Sequence, residues 1–524
     1  MTQPSAVSRL PSGVAGGGPS GVRHSLAADG RWLTAAGIVV VAVVAGLFFG
    51  PEAISLAIGL PLLGGDAIAI LVRPERAFRV FLVLLPVYLM TLVVLYGVLR
   101  VPPIGIRLIQ PWKELLLATA LLGSLLQLPS RTRDFAVTWL DALVAAFVAL
   151  NLAYMVFPFG DAPLLARAAG ARTNLIFAGL YLLGRLARPE FVDHRGAARF
   201  LAGLAVATVV GVAVEKLLLP SDWPLKLGYS RFLSRFFGGV DLFAPNELPW
   251  TFWTEAKLFR RASAFFANPL DLAAGCLLLV GAVLPRWLRP AEGDRPRLWM
   301  WLAVGLAGAI ALSLARMAAF SLPFVFLAVA LALGRRKLAV TLFALTVLAG
   351  MVVVFAAGPL AVTYVRTTLV FDNASSVGHL AEWSAALRSL SEHPFGIGLG
   401  TAGGVGARLG GGGIGGENQY LIYGVQLGWP GALLFPAALA GAVMHAGRAL
   451  GATGSPLFGA ALAGVLALAF LGLTSEVGAY IFVSYVSWWL VGLSVTRNLT
   501  APEVRAAARA SPAAVGDVGL RQAD

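Results

Sequence analysis

Three charged residues stand where an apolar chain gives charge little reason to be. Arg261, preceded by Arg260, opens "RASAFFANPLDLA" just before an apolar run. Arg316 lies in "SLARMAAF", at the turn between two such runs, and Glu417 closes the glycine segment of "GGGGIGGENQYLIYG" ahead of another. Two planar guanidiniums suit an anionic substrate, because each can hold an oxyanion through paired hydrogen bonds. A carboxylate held in a partly dry place can take a proton from a hydroxyl. Plainer readings exist for each. Arg316 can snorkel to an interface or pair with a protein carboxylate, and Glu417 with Asn418 can cap the first turn of a helix. Residue type alone leaves these alternatives open.

Other candidate groups say less. Asp241, Glu247, Glu255, Asp372, Glu382, Glu392 and Glu476 are the other main carboxylate candidates on the same side of the expected membrane as Glu417. His379 and His393 share that side but lack Asp, Glu or His neighbours at ligand spacing, while His24, His194 and His445 fall on the other; no metal site is expected. The single cysteine, Cys276, excludes a disulfide framework and a cysteine-based metal site. "GIGLGTAGG" has the glycine spacing of a phosphate loop but follows no predicted strand, so the match carries no weight.

The elements that must position these residues are membrane spans. Of 524 residues 58% are hydrophobic and only 13% charged, with a mean hydropathy of +0.81, against about 25% charged in soluble domains. The expected fold is an all-α, polytopic integral membrane protein with about 12–14 crossings, each near the ~20 residues that span the hydrocarbon. The apolar runs are roughly 33–49, 52–72, 79–99, 113–128, 136–157, 173–187, 198–219, 270–288, 298–315, 316–334, 337–357, 422–447, 456–474 and 476–496. The runs at 52–72 and 173–187 are the weakest. One membrane domain, 31–498, is expected between disordered cytoplasmic tails at 1–30 and 499–524.

Basic residues collect in alternate loops. These hold Arg73, Arg76 and Arg79; Arg131 and Arg133; Arg185, Arg188, Arg195 and Arg199; Arg286, Arg289, Arg295 and Arg297; and Arg335, Arg336 and Lys337. By the positive-inside rule these loops are cytoplasmic, with Arg107, Arg167 and Arg172 as exceptions. The formal charge of +14 therefore reflects topology and an anionic substrate, and not nucleic acid. Two long connections, 220–269 and 358–421, then lie outside. The first is rich in aromatics suited to the interface. In the second, Leu380, Trp383, Leu387 and Leu390 recur at helical spacing and predict an amphipathic helix along the outer surface.

Taken in order, "RRASAFFANP", "SLARMA", "SEHPFGIGLG" and "ENQYLIYGVQLGWPGALLF" resemble the signature blocks of the bacterial O-antigen ligase and polymerase superfamily, over roughly the second half of the chain. The resemblance implies a glycosyltransferase of the cytoplasmic membrane, acting outside on a glycan carried by polyprenyl diphosphate, with no cofactor, nucleotide sugar or metal. Carried across, Arg261 and Arg316 bind the donor diphosphate and stabilise the charge that grows on it, and Glu417 activates the acceptor hydroxyl. Arg260, His379, Asn418, Tyr420 and Asn268 become substrate-binding candidates. The implied partners are the lipid-linked donor, a glycan acceptor and the bilayer, with room for a chain-length regulator protein.

This sequence departs from the family pattern at four points. Glu417 stands where ligases typically have His, which is more like the polymerase branch. His379 replaces a frequent Arg, Gln426 a frequent Glu, and Ala264 a Gly. The leading expectation is a polysaccharide polymerase, with a ligase or a lipid-linked sugar flippase as the alternatives.

Overall fold

The computed structural model describes residues 67–510 except 129–135, 158, 189–191, 238–246, 255–258, 267, 291–292, 357, 373, 410–413 and 415. Among them the chain is helical, with no strand beyond two isolated bridges. The first half holds α1 (Arg76–Gly97), α2 (Pro103–Ile109), α3 (Trp112–Leu126), α4 (Trp139–Val156), α5 (Leu164–Leu186), α6 (His194–Leu217), α7 (Trp223–Lys226) and α8 (Tyr229–Phe237). The second holds α9 (Pro269–Leu288), α10 (Pro296–Ser313), α11 (Arg316–Ala332), α12 (Arg336–Ala356), α13 (Pro359–Leu369), α14 (Ala374–Glu392), α15 (Gly403–Leu409), α16 (Gln419–Thr453), α17 (Pro456–Leu471) and α18 (Ile481–Ala510).

Seven of the described helices, α1, α4, α6, α9, α10, α12 and α16, are long and apolar enough to cross a membrane; α11, α17 and the Ile481–Thr496 part of α18 are shorter apolar helices. Each coincides with an apolar run of the sequence. The protein is thus an all-α polytopic membrane protein. The expected tail 1–30, the run 33–49 and most of the run 52–72 lie outside the described residues, as do residues 511–524; α18 continues through Ala510.

Helix starts follow local chemistry. Asn268 and Ser455 each cap a helix whose first residue is proline, and Thr138 and Asp141 form a reciprocal capping box on α4. The core centres on α9, which packs against α17, α10 and α11. At the α9–α17 crossing, a Cβ on Gly281 would stand 2.3 Å from the Gly459 carbonyl oxygen. Small residues here let two backbones meet, as membrane helices require where hydrophobic burial gives little drive. α12 lies at the periphery and exposes Val340, Leu348, Val352 and Phe355, a surface suited to hydrocarbon and not to water.

Three expectations are refined by the tertiary structure. Arg185, placed by sequence in a cytoplasmic loop, is 3% exposed. Its Nε lies 3.0 Å from Asp141 Oδ1, which also accepts from the Tyr181 hydroxyl at 2.6 Å, so it pins α5 to α4. In the aromatic connection, Tyr229, Phe232 and Phe252 are buried, Phe232 against Tyr96 and Tyr229 against Phe252. These rings anchor the connection to the bundle. The predicted apolar stripe of α14 also divides. Leu380 and Leu387 are exposed together with Val377, while Leu390 is buried with Ala386, because α14 packs its other face on α16.

Candidate functional site

The loop carrying Arg260 and Arg261 is shaped by a buried carboxylate at the end of α6. Glu215 Oε2 accepts from the Ser263 and Ala264 amides at 2.8 and 2.6 Å, and its Oε1 accepts from Trp223 Nε1 and pairs with Arg260 at 3.2 Å. Arg260 also donates to the Ser221 carbonyl and lies over the Phe252 ring. Burial lowers its pKa, and the Glu215 charge opposes that shift. Arg260 is therefore committed to the loop itself. Sequence reasoning passed over Glu215, although a glutamate inside an apolar run is a signal. Ala264 has φ +48°, a left-handed conformation that costs a residue with a Cβ roughly 1–2 kcal/mol.

Arg261 faces the other arginine block. Its Nε donates to the Ser313 carbonyl at 2.8 Å, and the Ala262 amide donates to the Leu312 carbonyl at 2.9 Å. The turn it grips reverses through Leu314, at φ +52°, and delivers Arg316 as the first residue of α11. Arg316 Nη1 and Nη2 donate to Thr368 Oγ1 of α13 and Ser375 Oγ of α14 at 2.9 and 3.0 Å.

One turn further along α14, His379 Nδ1 lies 2.5 Å from Glu417 Oε2. Glu382 follows at the next turn, its pKa raised by burial and then by the Glu417 charge. Tyr480, in the connection before α18, is buried, which pushes its pKa up to about 12; its hydroxyl is within electrostatic reach of Asp271, Arg261 and Glu417. A continuous set of contacts thus runs from Arg261 through the 313–316 turn and Arg316 to α14 and Glu417, with Tyr480 between its two ends. Nothing in the sequence singled out Tyr480. Beside it a small cleft is lined by Leu85, Leu89, Phe266, Asp271, Ile481 and Phe482.

No protein-family model matches the chain, and no curated protein does. The meaning of the site therefore rests on its own chemistry and on the sequence blocks that meet in it.

Three substrate-binding candidates are occupied by the fold. Asn268 caps α9, accepting from the Leu270 and Asp271 amides. Asn418 caps α16 and donates to the Leu473 carbonyl at 3.1 Å, and the Tyr420 hydroxyl donates to the Ala469 carbonyl at 2.6 Å. These bonds pin the start of α16 to the end of α17 and the connection that follows it, and so fix the backbone beside Glu417. His379, a fourth such candidate, faces Glu417. Among the described residues no group of three His, Cys, Asp or Glu gathers as a metal site.

The glycines of "HPFGIGLG" thread a strap under the break in α16 at Gly428. The Ile397 and Gly398 amides donate to the Val425 and Gln426 carbonyls at 2.8 and 3.1 Å, which lose helical partners at the break. Gln426 accepts from Asn174 and donates to the Ala402 carbonyl. A glutamate could accept but, ionised, could not donate there.

Proposed function

We propose that the protein is a membrane glycosyltransferase of the polysaccharide polymerase type. It transfers a glycan from polyprenyl diphosphate to a hydroxyl of a lipid-linked repeat unit, on the outer side of the bacterial cytoplasmic membrane. The observation that carries this reading is the meeting of the two arginine blocks with the Glu417 block through the 313–316 turn and α14. The count of 12–14 crossings and the placing of 358–421 outside belong to the same reading, as does a chain-length regulator as a partner.

In this reaction Glu417 takes the proton of the acceptor hydroxyl as its oxygen attacks the anomeric carbon opposite the diphosphate. The bond from that carbon to the phosphate oxygen breaks with inversion, and the leaving diphosphate gains negative charge. Arg261 and Arg316 neutralise it, an effect worth most where water is excluded. As a charge-assisted acceptor, a diphosphate oxygen binds a guanidinium more strongly than the Thr368 and Ser375 hydroxyls do.

The test is polymerisation of purified lipid-linked repeat units by the protein in proteoliposomes. Arg316→Gln is expected to lower kcat about 100- to 1,000-fold, as for loss of one charge-stabilising donor. Glu417→Gln polymerising at the normal rate would remove Glu417 from the mechanism. In cells, deletion should leave single repeat units. Accumulation of long lipid-linked chains would instead identify a ligase.

A further inference from the structure

The inward face of α14 carries polar groups that the transfer step leaves unused. Glu382 Oε2 and Trp383 Nε1 are buried atoms without a hydrogen-bond partner among the described residues, and beside them His379 Nδ1 lies against Glu417 Oε2. At spacings of three and four residues they share one face of the helix. A buried polar atom left unpaired costs about 1–3 kcal/mol, and native proteins keep few of them. Two such atoms on adjacent residues, next to the His379 imidazole, call for a ligand that satisfies them together.

The chemistry of the set selects that ligand. Glu382 offers an acceptor, Trp383 a donor, and His379 either. An anion is disfavoured by the Glu382 and Glu417 carboxylates, and a metal ion by the indole N–H and the absence of a ligand set among the described residues. The Trp383 ring adds an apolar wall, 6.4 Å from the Phe371 ring and 6.3 Å from the imidazole, centroid to centroid. A neutral sugar ring fits both demands, because its hydroxyls donate and accept while its C–H face lies on an aromatic surface.

We infer that His379, Glu382 and Trp383 form a subsite for one neutral sugar ring of the acceptor glycan, next to Glu417. This rests on the glycan-transfer reading above, since the ring is assigned to the acceptor by its closeness to the base. In the present arrangement Glu417 closes on His379. A bound ring takes the place of that contact, with one hydroxyl donating to Glu382 and another accepting from the indole. These residues position the acceptor and exchange no proton with the reacting atoms.

The test uses full-length protein in nanodiscs. The binding probe is the neutral oligosaccharide released by mild acid from lipid-linked repeat units of the same cells, followed by saturation-transfer NMR. Trp383→Phe keeps the ring and removes the donor; Glu382→Gln keeps the shape and removes the charge. With melting confirming a folded protein, each should weaken binding about tenfold, the scale of one lost hydrogen bond at 1.4 kcal/mol. Each should raise KM for added acceptor by a similar factor while kcat changes less than about threefold, the pattern of lost uniform binding. Arg316→Gln should do the reverse, lowering kcat and sparing oligosaccharide binding. Normal turnover with unchanged binding and KM in both variants overturns the subsite and leaves the transferase standing. Oligosaccharide binding that the variants lose, without transfer in the wild type, keeps the subsite and overturns the reaction. Neither binding nor transfer overturns both.

Discussion

Glu382 carries a cost that pH exposes. Its folded pKa lies above the ordinary glutamate value of 4.5, because burial and the Glu417 charge both disfavour the anion. As pH rises past that ordinary value the unfolded chain releases the proton first, while the folded protein still holds it. Stability then falls with rising pH until the folded group has also ionised. Glu382→Gln lacks this penalty. The variant is expected to melt higher than wild type at pH 7, with the gap closing toward pH 4; a gap constant with pH would show that burial of charge is not the cause. Residue type suggested charge chemistry here but could not rank the charges. Arg260 and Arg261 are adjacent, yet one is absorbed by Glu215 and the other reaches the Arg316 turn.

At the scale of elements, the strap 396–400 and the break at Gly428 act as a pair. Gly398 has φ +105°, and a Cβ there would stand 2.0 Å from the Phe159 carbonyl oxygen. Gly398→Ala is expected to cost at least about 2 kcal/mol through strain and overpacking. Gly447, inside α16 with nothing within 4 Å of its Cβ position, is the control: Gly447→Ala should gain up to about 1 kcal/mol of helix propensity. Thermal melting in detergent reads both, and equal melting of Gly398→Ala and wild type would mean that the strap has room to move. The glycine spacing was plain in the sequence, but its use was not. The strap pairs with a helix that follows it, and periodicity cannot express that pairing. The predicted stripe of α14 divided for a similar reason: the helix has two faces to satisfy, one on α16 and one away from the bundle.

For the whole molecule, the orientation predicted from basic loops is open to a direct test. The native thiol of Cys276 is fully buried, so a new cysteine reports alone. Ser384 on α14 and Ala452 near the end of α16 are both exposed. A membrane-impermeant maleimide is expected to label Ser384→Cys in intact cells and Ala452→Cys only after lysis. The reverse pattern would turn the site toward the cytoplasm and defeat an outward-facing transferase.

The sequence by itself determined that this is a helical membrane protein, where most of its helices run, and which charges demand an explanation. Those follow from local composition, since an apolar run of sufficient length has few alternatives to a helix when no water can satisfy its backbone. Only the tertiary structure decided which charges meet. A helix apolar on every side does not encode its rotation about its own axis. The contacts of Arg261 with Ser313, Arg316 with Ser375, His379 with Glu417, and Glu215 with the 263–264 amides appear only once the helices have packed.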